Sequence, residues 1–234
     1  MKSIQKRFCA SKRTEGAGFV VRRPIGDAQI SDEEADPFLL LDELPRTQYA
    51  PGEFKGAPWH PHRGFDTVMY LKEGRGDHED SLGNKGALEA GDCQWMTAGS
   101  GILHHEGANH PGGWLHGFQC WVNLPRADKM TPPYYQDIKA AQIPLVKCTD
   151  KVRAKIIAGE VDGVQAVCQT RTPVQYIDFM LEPGGEYVHK VPQEMETAIV
   201  YVYSGRFANR EYINRTLATN LPNTRPAPMT DAIR

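Results

Sequence analysis

Neither sign of charge is in surplus in this chain: 27 lysines and arginines stand against 29 aspartates and glutamates among 234 residues. The formal charge of -2 supplies no bulk attraction to nucleic acid or to an anionic membrane, so a role at DNA would have to run through a protein partner. Long apolar runs are missing as well. No segment approaches the roughly 20 apolar residues of a membrane span, and the chain is expected to be soluble. The cysteines, at 9, 93, 120, 148 and 168, are odd in number, scattered and without a CxxC pair. That argues against a disulfide scaffold and for a reducing compartment, cytoplasmic or nuclear rather than secreted. Cys93 and Cys120 fall in apolar strand patterns and are expected as buried thiols. The basic stretch Lys2, Lys6, Arg7, Lys12 and Arg13 has no long Ser-rich amphipathic run and reads as a lead-in to the first strand rather than an import signal.

What the chain does have is punctuation. Twenty-two glycines and 17 prolines separate short runs rich in strand formers, at 19–21, 38–41, 66–71, 87–89, 94–96, 115–122, 152–157 and 176–181. This spacing predicts an all-β barrel or sandwich rather than a helical fold. A short helical turn is expected at 134–139, after Pro132-Pro133 and before Pro144.

Two histidine pairs carry the chemistry. His60-Pro61-His62 lies at one end of this β region and His104-His105-Glu106 at the other. In an extended strand alternate residues share a face, so His60 and His62 can point together while Pro61 points away, and the same parity couples His104 with Glu106. Three imidazoles and a carboxylate suit a mid-to-late first-row divalent metal and leave coordination positions free. A lone histidine in a strand is more often a surface or hydrogen-bonded core residue, but two pairs at strand parity on two strands rarely coincide. His78, His110, His116 and His189 sit in turn-rich or isolated settings and read as non-ligands. Phe65, Met69, Trp95 and Met96 are candidate neighbours of the pocket.

The segments HPHRGFDTVMYLKEG, HEDSLG, GDCQWMTAGSGILHHE and LHGFQCWVNLPRADKMTPPYYQDI resemble the signature segments of the pirin family, within the cupin superfamily. The likeness starts near Gly16 and weakens towards Gly205. It implies cupin double-stranded β-helix barrels in a bicupin, with His60, His62, His104 and Glu106 as metal ligands and one Fe(2+) per chain. A general cupin pattern puts its carboxylate four residues after the second histidine, which makes Asp66 a rival to Glu106; the family pattern favours Glu106. His105 would replace both neighbours after a one-residue slip, but parity turns it outward. The resemblance also implies two rival functions. One is a quercetin 2,3-dioxygenase-type reaction on a flavonol or related enol, with Glu106 as the catalytic base. The other is an iron-dependent redox sensor that works in the nucleus on a transcription factor without turnover.

The domains expected are a metal-binding cupin domain at 1–130, a connector at 131–150, a partial C-terminal cupin domain at 151–205 without an HxH pair, and an irregular tail at 206–234. The second barrel reads as incomplete.

Overall fold

The computed structural model describes residues 4–107, 110–206 and the backbone of 231–233. Strands dominate it. Among the described residues the α-helix is a single turn, Asp32–Ala35, opened by a capping box in which the Ser31 hydroxyl accepts from the Glu34 N–H and the Glu34 carboxylate accepts from the Ser31 N–H. No helix among the described residues is long and apolar enough to cross a membrane.

A seven-stranded antiparallel sheet forms the frame. Its order is Tyr134–Ile138, Cys93–Thr97, Phe65–Glu73, Gly113–Asn123, Phe38–Tyr49, Phe19–Ile25 and Ser11–Glu15. Opposite it stands a four-stranded sheet ordered Ala57–His62, Ile102–Glu106, Arg75–Asp80 and Lys85–Glu89. Period-two alternation divides the central strand Phe65–Glu73 between two cores. Met69 and Leu71 pack inward with Val21, Leu44, Phe54, Leu88 and Leu115. Val68 and Tyr70 face the other way, into a cluster with Trp95, Phe118, Cys120 and Val122 that also takes in Ile157, Ala158 and Val174. Each fully buried Val, Leu, Ile or Phe among them contributes about 1.5–3 kcal/mol. The second half of the chain is therefore built onto the reverse face of the large sheet.

That half contains a three-stranded sheet, Leu145–Thr149, Val152–Ala158 and Tyr176–Leu181, and the short hairpin Glu160–Val161 with Val164–Gln165. A buried polar knot ties the halves together. Asp178, 6% exposed, accepts from Tyr70 Oη at 3.0 Å, Lys72 Nζ at 2.5 Å and Tyr203 Oη at 2.7 Å.

The helical turn expected at 134–139 is a strand, Tyr134–Ile138, paired with Cys93–Thr97. The two prolines before it imitate a helix start, but two tyrosines and an isoleucine beside an unpaired sheet edge favour the ladder, and Ile138 is buried there. The segment 131–150, read as a connector, thus supplies one strand to the large sheet and Leu145–Thr149 to the small one. The reading of 207–230 as irregular tail lies outside the described residues. Asp231–Ile233 is a strand, seated between Arg7–Cys9 and Val200–Tyr201.

Candidate metal centre

The strand Ala57–His62 runs antiparallel to Ile102–Glu106 with His60 directly opposite His104. His62, two residues on, shares the face of His60, and the three rings meet with centroids 4.5 to 4.8 Å apart. Their ligand nitrogens all lie within 4.8 Å of one another. His60 Nδ1 is 2.6 Å from the Pro58 carbonyl oxygen, which fixes the proton on that nitrogen and presents Nε2. Nε2 of His60 then lies 3.1 Å from Nε2 of His104. Burial, reinforced by the neighbouring imidazoles, pushes His62 and His104 down to about 3. Both rings are neutral at physiological pH, with lone pairs free for an ion. Buried, unprotonated and convergent imidazoles fit a divalent cation.

Glu106 stands differently from its parity expectation. A register irregularity separates His104 from Glu106, so that Glu106 is opposite Ala57 on one side and His78 on the other. Its Oε1 lies 3.8 Å from His104 Nδ1, and it groups with His104 and His78 rather than with His60 and His62. Burial raises its carboxyl above the ordinary range, against the pull of His78 and His60. A bulge of this kind re-aims a side chain without lengthening the strand noticeably.

His78 is the residue that sequence reasoning set aside. Gly74 and Gly76 made its surroundings look like a turn, yet Arg75–Asp80 is a strand and His78 is 2% exposed. The usable signal was parity, which puts His78 and Asp80 on one face. His105 turns away from the cluster as parity requires, stacking edge-on to Trp59 and reaching Glu79 Oε2 at 3.4 Å. Asp66 lies on the reverse face of the large sheet, completely buried, where it accepts from Trp95 Nε1 at 2.8 Å. It belongs to neither histidine group.

The proposed pocket neighbours divide the same way. Phe65 packs 5.1 Å from the His62 ring, whereas Trp95 is in the reverse-face core. Met69 and Met96 sit in apolar clusters of the barrel. Trp121 was missed: its ring lies 5.2 Å from His62 and 4.8 Å from Phe65, and its buried Nε1 has no hydrogen-bond partner.

Comparison with known proteins decides the family. The family model described as Pirin matches residues 18–122, which include both histidine strands. A pirin-like protein of Solanum lycopersicum is 42% identical over 205 residues, covering 88% of this chain and 67% of that protein. The chain belongs to the pirin family. Homo sapiens pirin is likewise 42% identical over 207 residues, covering 87% of this chain and 67% of its own. Among solved structures, quercetin 2,3-dioxygenase from Acinetobacter baumannii superposes with a TM-score of 0.74 at 34% identity, over 86% of this chain and 68% of that one. This pirin spans about two thirds of the length of these relatives. It has the all-β cupin architecture of the family.

Proposed function

We propose that this pirin is a mononuclear non-haem iron protein, one Fe(2+) per chain, that catalyses a quercetin 2,3-dioxygenase-type reaction on a flavonol or related enol. The observation that carries the reading is the convergence of three imidazoles, His60, His62 and His104, beside a carboxylate, with His62 and His104 buried. His60 and His62 come from one strand and His104 from its partner; Glu106 completes the set by turning from the Nδ1 side of His104. The likeness to a solved quercetin 2,3-dioxygenase supports the substrate class.

His60, His62, His104 and Glu106 would hold the iron, which when bound would supply Lewis-acid and redox chemistry toward an enol and O2. The chain does the rest. Glu106, made more basic by burial, takes the 3-hydroxyl proton as the substrate docks. Phe65 and Trp121 form an aromatic wall beside His62 against which a flat flavonol ring lies. The unpartnered Trp121 Nε1–H is a donor for a substrate oxygen.

Aerobic incubation of the Fe(2+)-loaded protein with quercetin tests this directly. Loss of flavonol absorbance with release of carbon monoxide is expected. An intact flavonol while iron stays bound would overturn the enzymatic reading and leave the sensor role.

A further inference from the structure

On the two strands at the centre of the large sheet, Phe65–Glu73 and Gly113–Asn123, the two faces differ in exposure. Val68, Tyr70, Phe118, Cys120 and Val122, which face the second half of the chain, are buried. Phe65, Met69, Gln119 and Trp121, on the barrel side, are only half-buried. Half-buried side chains on the concave face of a barrel border open space, and this stripe runs away from His62, against which Phe65 and Trp121 pack.

One row of the stripe is polar. Gln94 is opposite Met69, Met69 opposite Gln119, and Gln119 opposite Asp42. The two flanking polar side chains are buried and already engaged: Gln94 Nε2 donates to Tyr135 Oη at 2.6 Å, and Asp42 accepts from Arg23 Nε at 2.8 Å and Nη2 at 2.6 Å. Gln119 differs from both. Its Oε1 is buried and has no hydrogen-bond partner among the described residues. Trp121, the next side chain on the same face, has the same deficit at Nε1. Alternate positions on a strand lie roughly 6.6 Å apart, so an unused acceptor and an unused donor stand in line along the open stripe. A buried polar atom left unpaired costs free energy that a ligand of matching chemistry recovers.

We propose that Gln119 determines which flavonol this pirin takes: its Oε1 accepts a hydrogen bond from a phenolic ring hydroxyl, so that polyhydroxylated flavonols are selected over the bare ring system. The inference rests on the reading that the ligand is a flavonol-type enol with its 3-hydroxyl end at the histidines and its rings along Phe65 and Trp121. Trp121 then serves an oxygen of the ligand as donor, and Gln119 serves a hydroxyl as acceptor. The selection is one-sided. A ligand that carries the hydroxyl satisfies Oε1, whereas one that lacks it covers the acceptor and leaves it dry, and a site built to bond a hydroxyl rejects such an analogue far better than an apolar pocket rejects an added group.

Calorimetric titration of the full chain as purified, with O2 excluded so that binding is read without turnover, tests the proposal. It compares quercetin with 3-hydroxyflavone, which keeps the 3-hydroxyl and the 4-carbonyl and lacks every other hydroxyl. Quercetin is expected to bind roughly 5- to 150-fold more tightly. Gln119→Leu should remove most of that ratio by weakening quercetin while 3-hydroxyflavone binds as before or more tightly. Gln119→Met, closer in shape to glutamine, makes the same comparison should the first variant fail to fold, and the ratio of the unaltered chain decides should both fail. A ratio that persists in a folded variant, or equal binding of the two compounds by the unaltered chain, would overturn the role of Gln119 and leave the flavonol reading standing. Binding of neither compound by the unaltered chain would overturn the flavonol reading itself, and this inference with it.

Discussion

At the residue scale the decisive contrast is among three acidic or imidazole side chains that the sequence offers as rivals for one place at the metal, Asp66, His105 and Glu106. Asp66 is turned to the reverse face of the sheet and spends its hydrogen bonding on Trp95; His105 is turned to Trp59 and Glu79; Glu106 alone of the three groups with His104. On the proposed reading Glu106→Gln should keep the fold, weaken iron binding and abolish flavonol turnover, because it would remove an anionic ligand and the base together. His105→Ala should change iron affinity less than about threefold, within the ±0.5 kcal/mol of an ordinary surface change. Asp66→Asn should lower stability by about 1–3 kcal/mol through the buried bond from Trp95 and leave the metal in place. Iron affinity and urea midpoints of the three variants, measured together, check this. Loss of iron from Asp66→Asn with retention in Glu106→Gln would reverse the ligand assignment.

At the scale of the elements, the site depends on how closely the loop before Ala57–His62 approaches the bulged end of Ile102–Glu106. Gly56 has φ +61°, and a Cβ placed there would meet the Glu106 carbonyl oxygen at 1.9 Å and the Gly107 carbonyl carbon at 2.8 Å. Backbone on both sides leaves no flexible atom to give way. Gly56→Ala should destabilise the protein by about 2–5 kcal/mol, combining left-handed strain with overpacking, and should weaken metal binding by displacing Glu106. Gly83→Ala is the control: φ is +85° but nothing lies within 4 Å, so about 1 kcal/mol of conformational cost is all that is expected. Urea unfolding and metal titration of the pair distinguish them, and equal losses in the two variants would mean that the close approach at Gly56 has no energetic weight.

At the scale of the whole molecule, buried titratable groups set how stability responds to pH. His62 and His104 are pushed down to about 3 by burial, so the unfolded chain takes up protons near 6.5 that the folded chain refuses. A base depressed in this way contributes stability above its unfolded value that is lost as the pH falls toward its folded value. Glu43 adds to the loss lower down. Burial alone would raise it, but His116, Tyr201 and Arg22 outweigh that and hold it below the ordinary range, so its contribution disappears as it protonates. Asp66, raised by burial, works in the opposite sense. The net expectation is a urea midpoint that falls between pH 7 and pH 4, with a slope of up to about 1.4 kcal/mol per pH unit for each proton taken up on unfolding. A midpoint that is flat or rising over that range would contradict the buried, neutral state of these rings.

The sequence by itself determined the all-β class, most strand positions and the family, because glycine and proline punctuation, period-two alternation and the motif segments are local signals that need no partner to be read. It also coupled His60 with His62, and His104 with Glu106, since parity along one strand is a local property. Other features were settled only in three dimensions. The strand Tyr134–Ile138 exists because Cys93–Thr97 offers it an edge. The assignment of Trp95 to the reverse core and of Trp121 to the wall beside His62 follows from which face of the large sheet the second half covers. His78 joined the site through its register opposite Glu106, and the bulge after His104 carried Glu106 to that same side. Register and sheet coverage are relations between segments distant in the chain, and no residue's immediate neighbours encode them.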